Sequence, residues 1–118
     1  MVTGGCGFIG SNFIQIALEK IDNVEILNID KLSYAGNLEN LESISDFDNY
    51  QFIQGDICDL NFLIDAFDNF KPSIILHFAA ESHVDKSIEG PIDFINTNVL
   101  GTANLLHASY LHFKQRYP

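Results

Sequence analysis

The chain reads as an α/β fold: a parallel sheet with helices on both faces and its first strand cut short. Three observations carry that reading. Apolar runs (VEILNID, YQFIQGDI, SIILHFAA) alternate with stretches of helical periodicity, the pattern of parallel strands joined by helical crossovers. A glycine-rich turn, TGGCGFIG, stands directly ahead of the first helical stretch. Only Met1 and Val2 precede that turn, too few for a full strand. The sheet is therefore expected to be split where its first strand should join the second to the fourth.

After the turn, Phe13, Ile14, Ala17 and Leu18 fall at helical spacing and predict a helix from Ile9 to Lys20. VEILNID is β-branched and apolar, ends in Asp30, and predicts a strand buried on both faces. The loop around Gly36 and Asn37 leads into a short helix with Leu38, Leu41 and Ile44 on one side. YQFIQGDI alternates apolar and polar residues and predicts a less buried strand. Asp59 is placed to cap a helix whose apolar stripe is Leu60, Leu63, Ile64 and Phe67, and Lys71-Pro72 ends it. SIILHFAA, the most hydrophobic run, predicts a central strand; ESHVDKSIEG is expected to be a loop; Pro91 suits the first turn of a long helix to Phe113.

With 16 acidic and 6 basic residues the net charge is −10. Phosphate-backbone binding needs clustered Lys and Arg, and here they are scattered, so a nucleic-acid partner is not expected. No apolar run approaches a membrane span, and the N-terminus carries a glycine motif in place of a signal peptide. Cys6 and Cys58 have no C-x-x-C spacing and read as reduced thiols in the cytoplasm. Neither they nor His77, His83, His107 and His112 show metal-ligand spacing, so no metal site is expected.

The turn holds two overlapping spacings, Gly5-x-Gly7-x-x-Gly10 and Gly4-x-x-Gly7-x-x-Gly10. The early glycines permit a tight turn, Gly7 lets the backbone approach a pyrophosphate, and Gly10 lets the helix pack close to the sheet. The helix beginning there points free N–H groups at the phosphates, worth about 0.3–1 kcal/mol at exposed sites. Asp30 follows at a predicted strand end, where a carboxylate accepts both ribose hydroxyls of an adenosine. No arginine stands nearby for a 2′-phosphate, so NAD is favoured over NADP; Lys31 alone weakens that preference. Asp56-Ile57 and Phe78-Ala79-Ala80 fall at other strand ends, where open α/β sheets take ligands. Cys6, at a helix start, could gain thiolate character, but a small filler is the favoured reading.

Together VTGGCGFIGSN, IDKLSYAGNLENL, GDICD, HFAAESHVDKSI and NTNVLGTANLL resemble the extended short-chain dehydrogenases that act on nucleotide sugars, and among them the dTDP-glucose 4,6-dehydratases. The likeness covers essentially all 118 residues. The glycine motif and NVLGT are common to that superfamily, whereas DKLSYAGN and AAESHVDKSI are narrower. The resemblance implies a partial Rossmann fold and NAD contacts at Gly4, Gly7, Phe8, Ile9 and Gly10 in the turn. It adds Asp30, Lys31, Leu32 and Ser33, then Asp56 and Ile57, then Phe78, Ala79, Ala80, Glu81 and Ser82, and Thr97. Ser82 and His83 are the positions implied to meet substrate. Lys86 departs from the family, which has arginine there, so a bidentate contact is lost while the charge is kept.

Resemblance further implies a cytoplasmic homodimer converting dTDP-glucose to a 4-keto-6-deoxy sugar through transient hydride transfer to NAD. The family does this with a Tyr-x-x-x-Lys pair and a Thr-Asp-Glu cluster on the strand after the long helix; no catalytic residue of that set is expected in this chain. Tyr110 and Lys114 have the Tyr-x-x-x-Lys spacing, but at the far end of the helix, and read as ordinary helix residues. The chain is thus expected to be the N-terminal, NAD-binding part of one larger domain, poorly stable and inactive alone. Alternatives are another NAD-dependent sugar-nucleotide epimerase or dehydratase, or a non-catalytic NAD-binding module.

Overall fold

The run ILNID has no glycine or proline to interrupt an extended backbone. In the computed structural model, which describes residues 1–33 and 36–118, it forms β2 (Ile26–Asp30) with every residue buried. Tyr34 and Ala35 of the DKLSYAGN motif lie outside the described residues. The chain divides into two units, Met1–Gly55 with Ser73–Ala79, and Asp56–Pro72 with Ala80–Pro118.

The first unit holds the sheet. β2 pairs in parallel with β3 (Tyr50–Gln54), Ile26 opposite Tyr50 through Asp30 opposite Gln54. On the other side of β2 lies β1, Val2–Thr3, which also pairs in parallel with β4, Leu76–His77. Among the described residues the order is β3-β2-β1-β4. The expected split is therefore corrected: the first strand is truncated to two residues, yet it bridges both neighbours. It suffices because the ladder continues past it. Met1 C=O accepts from Leu76 N–H, Thr3 C=O from Phe78 N–H, and Gly4 N–H donates to Ile29 C=O.

SIILHFAA is corrected too. Only Leu76–His77 of this run is strand, both residues are half-buried with Ile74 67% exposed, and among the described residues it stands last in the order of the sheet. Hydrophobicity reports that a run has apolar faces; it does not report which neighbours its backbone finds.

Helix α1 (Phe8–Lys20) buries Gly10, Ser11, Ile14 and Ala17. Ile14 and Ala17 share a core with Val2, Cys6, Ile26, Leu41, Ile44 and Tyr50. Leu41 and Ile44 come from a 3-10 helix, Leu38–Ile44, whose first turn is capped by the Asn37 amide oxygen accepting from Glu39 N–H at 2.9 Å.

The second unit is helical. Asp59 caps α2 (Leu60–Phe70) by accepting from Phe62 N–H, and Lys71 closes it in the left-handed region at φ 53°. Leu63, Ala66 and Phe67 are buried on α2, and Leu105 and Ala108 on α5 (Thr102–Arg116). The expected loop ESHVDKSIEG contains a six-residue helix, α3 (Val84–Glu89). The long helix is irregular and reaches Arg116: α4 (Pro91–Ile95) runs into a π-helical segment, Asn96–Gly101, before α5. A Cβ at Gly101 would lie 2.6 Å from the Ile57 side chain, so glycine is needed for that approach. Ile92, Ile95, Val99 and Leu106 are exposed.

Candidate functional site

In the first unit the glycines of the turn do different jobs. Gly4 has φ +71°, and a Cβ on it would sit 2.4 Å from the Ala79 nitrogen. At Gly10 a Cβ would sit 2.3 Å from the Gly4 carbonyl oxygen, so that glycine lets α1 start against the turn. Gly7, just ahead of α1, has φ −75° and ψ 175°, extended backbone that any residue adopts. Its lack of a side chain answers to something other than conformation. Among the described residues no side chain caps this end of α1, and the first turn holds no acid. Phe8 and Ile9 are 83% and 67% exposed. Uncapped amides behind a bare Cα make a cradle for an anion.

Asp30, at the end of β2, is 8% exposed and stands beside this turn. Its Oδ2 accepts from Cys6 N–H at 2.9 Å and its Oδ1 from Leu32 N–H at 2.8 Å. Each carboxylate oxygen keeps a second acceptor direction, and two acceptors side by side match a vicinal diol. Leu32 holds its amide in place with φ +59°, outside the range most residues favour. Gln54 donates to the Lys31 carbonyl at 3.3 Å. Phe78 packs its ring on Phe13 at 5.6 Å, and the Ala79 backbone closes on Gly4. The first unit thus gathers the turn, Asp30 and the end of β4.

A buried polar group behind the turn escaped the sequence reading. Asn28 is 0% exposed; its Nδ2 donates to Tyr50 Oη at 3.0 Å and to Cys6 Sγ at 3.5 Å. Its Oδ1 has no hydrogen-bond partner among the described residues. The available signal was an amide at the middle of an apolar strand, between Leu27 and Ile29. Burial, and then the Asp30 carboxylate, push the Cys6 thiol up to about 11, against the pull of the Asn28 hydrogen bond. Cys6 is therefore a buried filler and not a thiolate. Burial likewise raises the Tyr50 phenol above its ordinary value.

In the second unit Asp56 Oδ1 accepts from Cys58 N–H at 2.9 Å, and Ile57 is buried against Gly101. Asn104 holds this corner by donating to the Ile57 and Cys58 carbonyls at 3.2 and 3.0 Å. Thr97 is buried within the π-helical segment. Next to it Asn98, not expected from sequence, clasps the Glu81 backbone: Oδ1 accepts from its N–H and Nδ2 donates to its C=O, both at 2.8 Å. Ala80, Ser82 and His83 flank that clasp and are exposed. Lys114 Nζ lies 5.5 Å over the Tyr110 ring, a contact along one helix face. Among the described residues, no group of three His, Cys, Asp or Glu could hold a metal ion, and no helix is long and apolar enough to cross a membrane.

A family model described as GDP-mannose 4,6 dehydratase matches residues 1–116. A probable dTDP-glucose 4,6-dehydratase of Sinorhizobium fredii is 48% identical over 109 residues, covering 92% of this chain and 31% of the relative. The chain thus spans about a third of the length of that relative. Among solved structures, the dTDP-glucose 4,6-dehydratase of Streptomyces venezuelae with NAD and TYD bound has a TM-score of 0.85 at 40% identity, over 94% of this chain and 35% of that one. The UDP-glucose 4-epimerase of Thermus thermophilus, in complex with NAD, gives 0.82 at 33%, over 94% of this chain and 33% of that one. With these neighbours, the parallel sheet and its helices are a partial Rossmann fold.

Proposed function

The chain belongs to the GDP-mannose 4,6-dehydratase family, and on that premise we propose that it is the NAD-binding portion of a dTDP-glucose 4,6-dehydratase. One observation carries the reading. Asp30 presents a carboxylate fixed by the Cys6 and Leu32 amides, beside an uncapped helix start whose Gly7 leaves its Cα bare. The residues present fit a dinucleotide: Asp30 for the adenosine ribose, and the amides behind Gly7, Phe8 and Ile9 for the pyrophosphate. Lys31, Leu32 and Ser33 shape the adenosine side. Phe78 and Ala79 are carried by the close backbone approach at Gly4.

For the second unit the reading rests on Asp56, Ile57, Ala80, Glu81, Ser82 and Thr97 as further NAD contacts. Ser82 and His83 are exposed, as positions meeting a nucleotide sugar must be. When bound, NAD supplies a reversible hydride acceptor for converting dTDP-glucose to dTDP-4-keto-6-deoxyglucose and water. The residues of this chain bind and orient; none is assigned a proton transfer. A cytoplasmic setting and a homodimer complete the proposal, the latter supported by the exposed Ile92, Ile95, Val99 and Leu106. The UDP-glucose 4-epimerases are the second reading, on the 0.82 TM-score; the 40% against 33% identity favours the dehydratase.

Calorimetric titration of the chain with NAD and NADP tests the proposal. NAD is expected to bind, and NADP to bind at least about tenfold more weakly, because its 2′-phosphate meets the Asp30 carboxylate. Absence of NAD binding, or equal affinity for NADP, would refute it. Tighter binding of dTDP-glucose than of UDP-glucose by the whole protein of which this is proposed to be a portion separates the dehydratase from the epimerase reading.

A further inference from the structure

We propose that Gly36 is a positioning residue for Asp30: the absence of a side chain at Gly36 keeps Oδ1 turned toward a ribose hydroxyl. The proposal rests on the NAD reading above. Among the described residues Gly4 is the glycine with positive φ, so the Gly36 backbone does not itself demand glycine. Space does. A Cβ on Gly36 would lie 2.9 Å from Asp30 Oδ1, 3.4 Å from its Cγ and 3.3 Å from Leu32 Cα. The first distance is shorter than a carbon and an oxygen approach even across a C–H···O contact, about 3.3–3.6 Å, so something must move.

Little around it can move freely. Gly36 N–H donates to Ser33 C=O at 2.9 Å, and Asn37 N–H donates to Cys6 C=O at 3.1 Å. The segment is thereby tied to the same Cys6 whose own N–H holds Asp30 Oδ2. On the other oxygen, the Leu32 amide depends on an uncommon φ of +59°, which persists only while its surroundings fix it. A methyl group at position 36 therefore either turns the carboxylate or shifts Leu32. Both outcomes break the Leu32 N–H to Oδ1 hydrogen bond, and both swing one acceptor away from a diol that needs two.

The test is a cycle of Gly36→Ala and Asp30→Ala in the full chain. Each form is titrated with NAD and with its 2′-deoxyadenosine analogue, and its thermal melting is followed. Unaltered chain is expected to prefer NAD over the deoxy analogue by about tenfold, the loss for one hydrogen bond to a charged acceptor. Gly36→Ala is expected to remove most of that preference and about tenfold of NAD affinity. In the Asp30→Ala background, where only the 3.3 Å approach to Leu32 Cα remains, the same substitution is expected to cost far less affinity and melting temperature.

Retention of the preference in Gly36→Ala, or an equal cost in both backgrounds, overturns the proposal. Should Gly36→Ala fail to fold, recovery of folding in the double variant supports the contact, and failure to recover overturns it. Unaltered chain that binds no NAD sinks the NAD reading together with this one. NAD binding with the preference intact in Gly36→Ala sinks only the role of Gly36.

Discussion

Tyr50→Phe removes one oxygen from the core and leaves Asn28 with a donor that water cannot reach. Asn28 is fully buried, and its Nδ2 spends one hydrogen on Tyr50 Oη at 3.0 Å and the other on the weak acceptor Cys6 Sγ. A buried donor left unsatisfied costs about 1–3 kcal/mol. For a chain of this size that lowers the melting temperature by roughly 3–6 °C per kcal/mol. Asn28→Leu has nearly the same shape, with methyl groups where the amide carried Nδ2 and the unpartnered Oδ1. It orphans the Tyr50 hydroxyl but also discards the Oδ1 cost, so its loss is smaller, about 1 kcal/mol. The double variant pairs phenyl with isobutyl and should be nearly neutral, because replacing both members of a buried polar pair removes both desolvation penalties. The coupling is then at least about 1 kcal/mol in the favourable direction. Urea unfolding followed by far-UV circular dichroism measures all four forms. Costs that simply add would show that the Asn28–Tyr50 contact contributes nothing as a pair.

Gly7→Ala should fold with a melting temperature near that of the unaltered chain yet bind NAD about tenfold more weakly, whereas Gly10→Ala should lose about 1–3 kcal/mol or more of stability, since its Cβ meets the Gly4 carbonyl at 2.3 Å. Cys6, buried and with its thiol pushed up to about 11, should resist a thiol-exchange reagent near neutral pH and react only once urea unfolds the chain; rapid modification of folded Cys6 contradicts that assignment. Burial lowers the His77 imidazole below its ordinary 6.5, so the unfolded chain binds that proton more readily than the folded one. The contribution is present above 6.5 and is lost as pH falls below it toward the folded value. Melting curves across that range should therefore drop more steeply than those of His77→Gln.

Several elements of both units were legible because their signals are local. The 3.6-residue spacing of Ile14 and Ala17, the cap at Asp59 and the β-branched run before Asp30 each act over a few residues, and the structure has α1, α2 and β2 where those signals stand. Placement of strands is not local. SIILHFAA carries no mark that says edge or centre, and β1 exists through hydrogen bonds to residues more than twenty positions away. The same limit hid the site's supports. Asp30 was visible by position, but its hold depends on amides from Cys6 and Leu32, and the Glu81 clasp depends on a π-helical segment that brings Asn98 round. Backbone donors leave no trace in side-chain identity. Val84–Glu89 was missed because its polar face outweighs Val84 and Ile88, both of which are exposed.

An acidic chain proposed to bind a diphosphate raises a question of sign. With a net charge of −10 and 6 basic residues, bulk electrostatics repel an anion. On the proposed function the attraction must come from dipoles at contact range, and the uncapped amides at the start of α1 are placed to supply them. Repulsion from remote carboxylates is screened over about 8 Å at physiological ionic strength, while amides touching the phosphates are not. Capture by amides releases few counterions, unlike capture by Lys and Arg, whose salt dependence grows with every phosphate neutralised. NAD affinity should therefore change little between low and physiological salt, and its small change should be a strengthening as the acidic surface is screened. A steep loss of affinity with salt would instead place the pyrophosphate on basic side chains, with Lys31 the first to substitute.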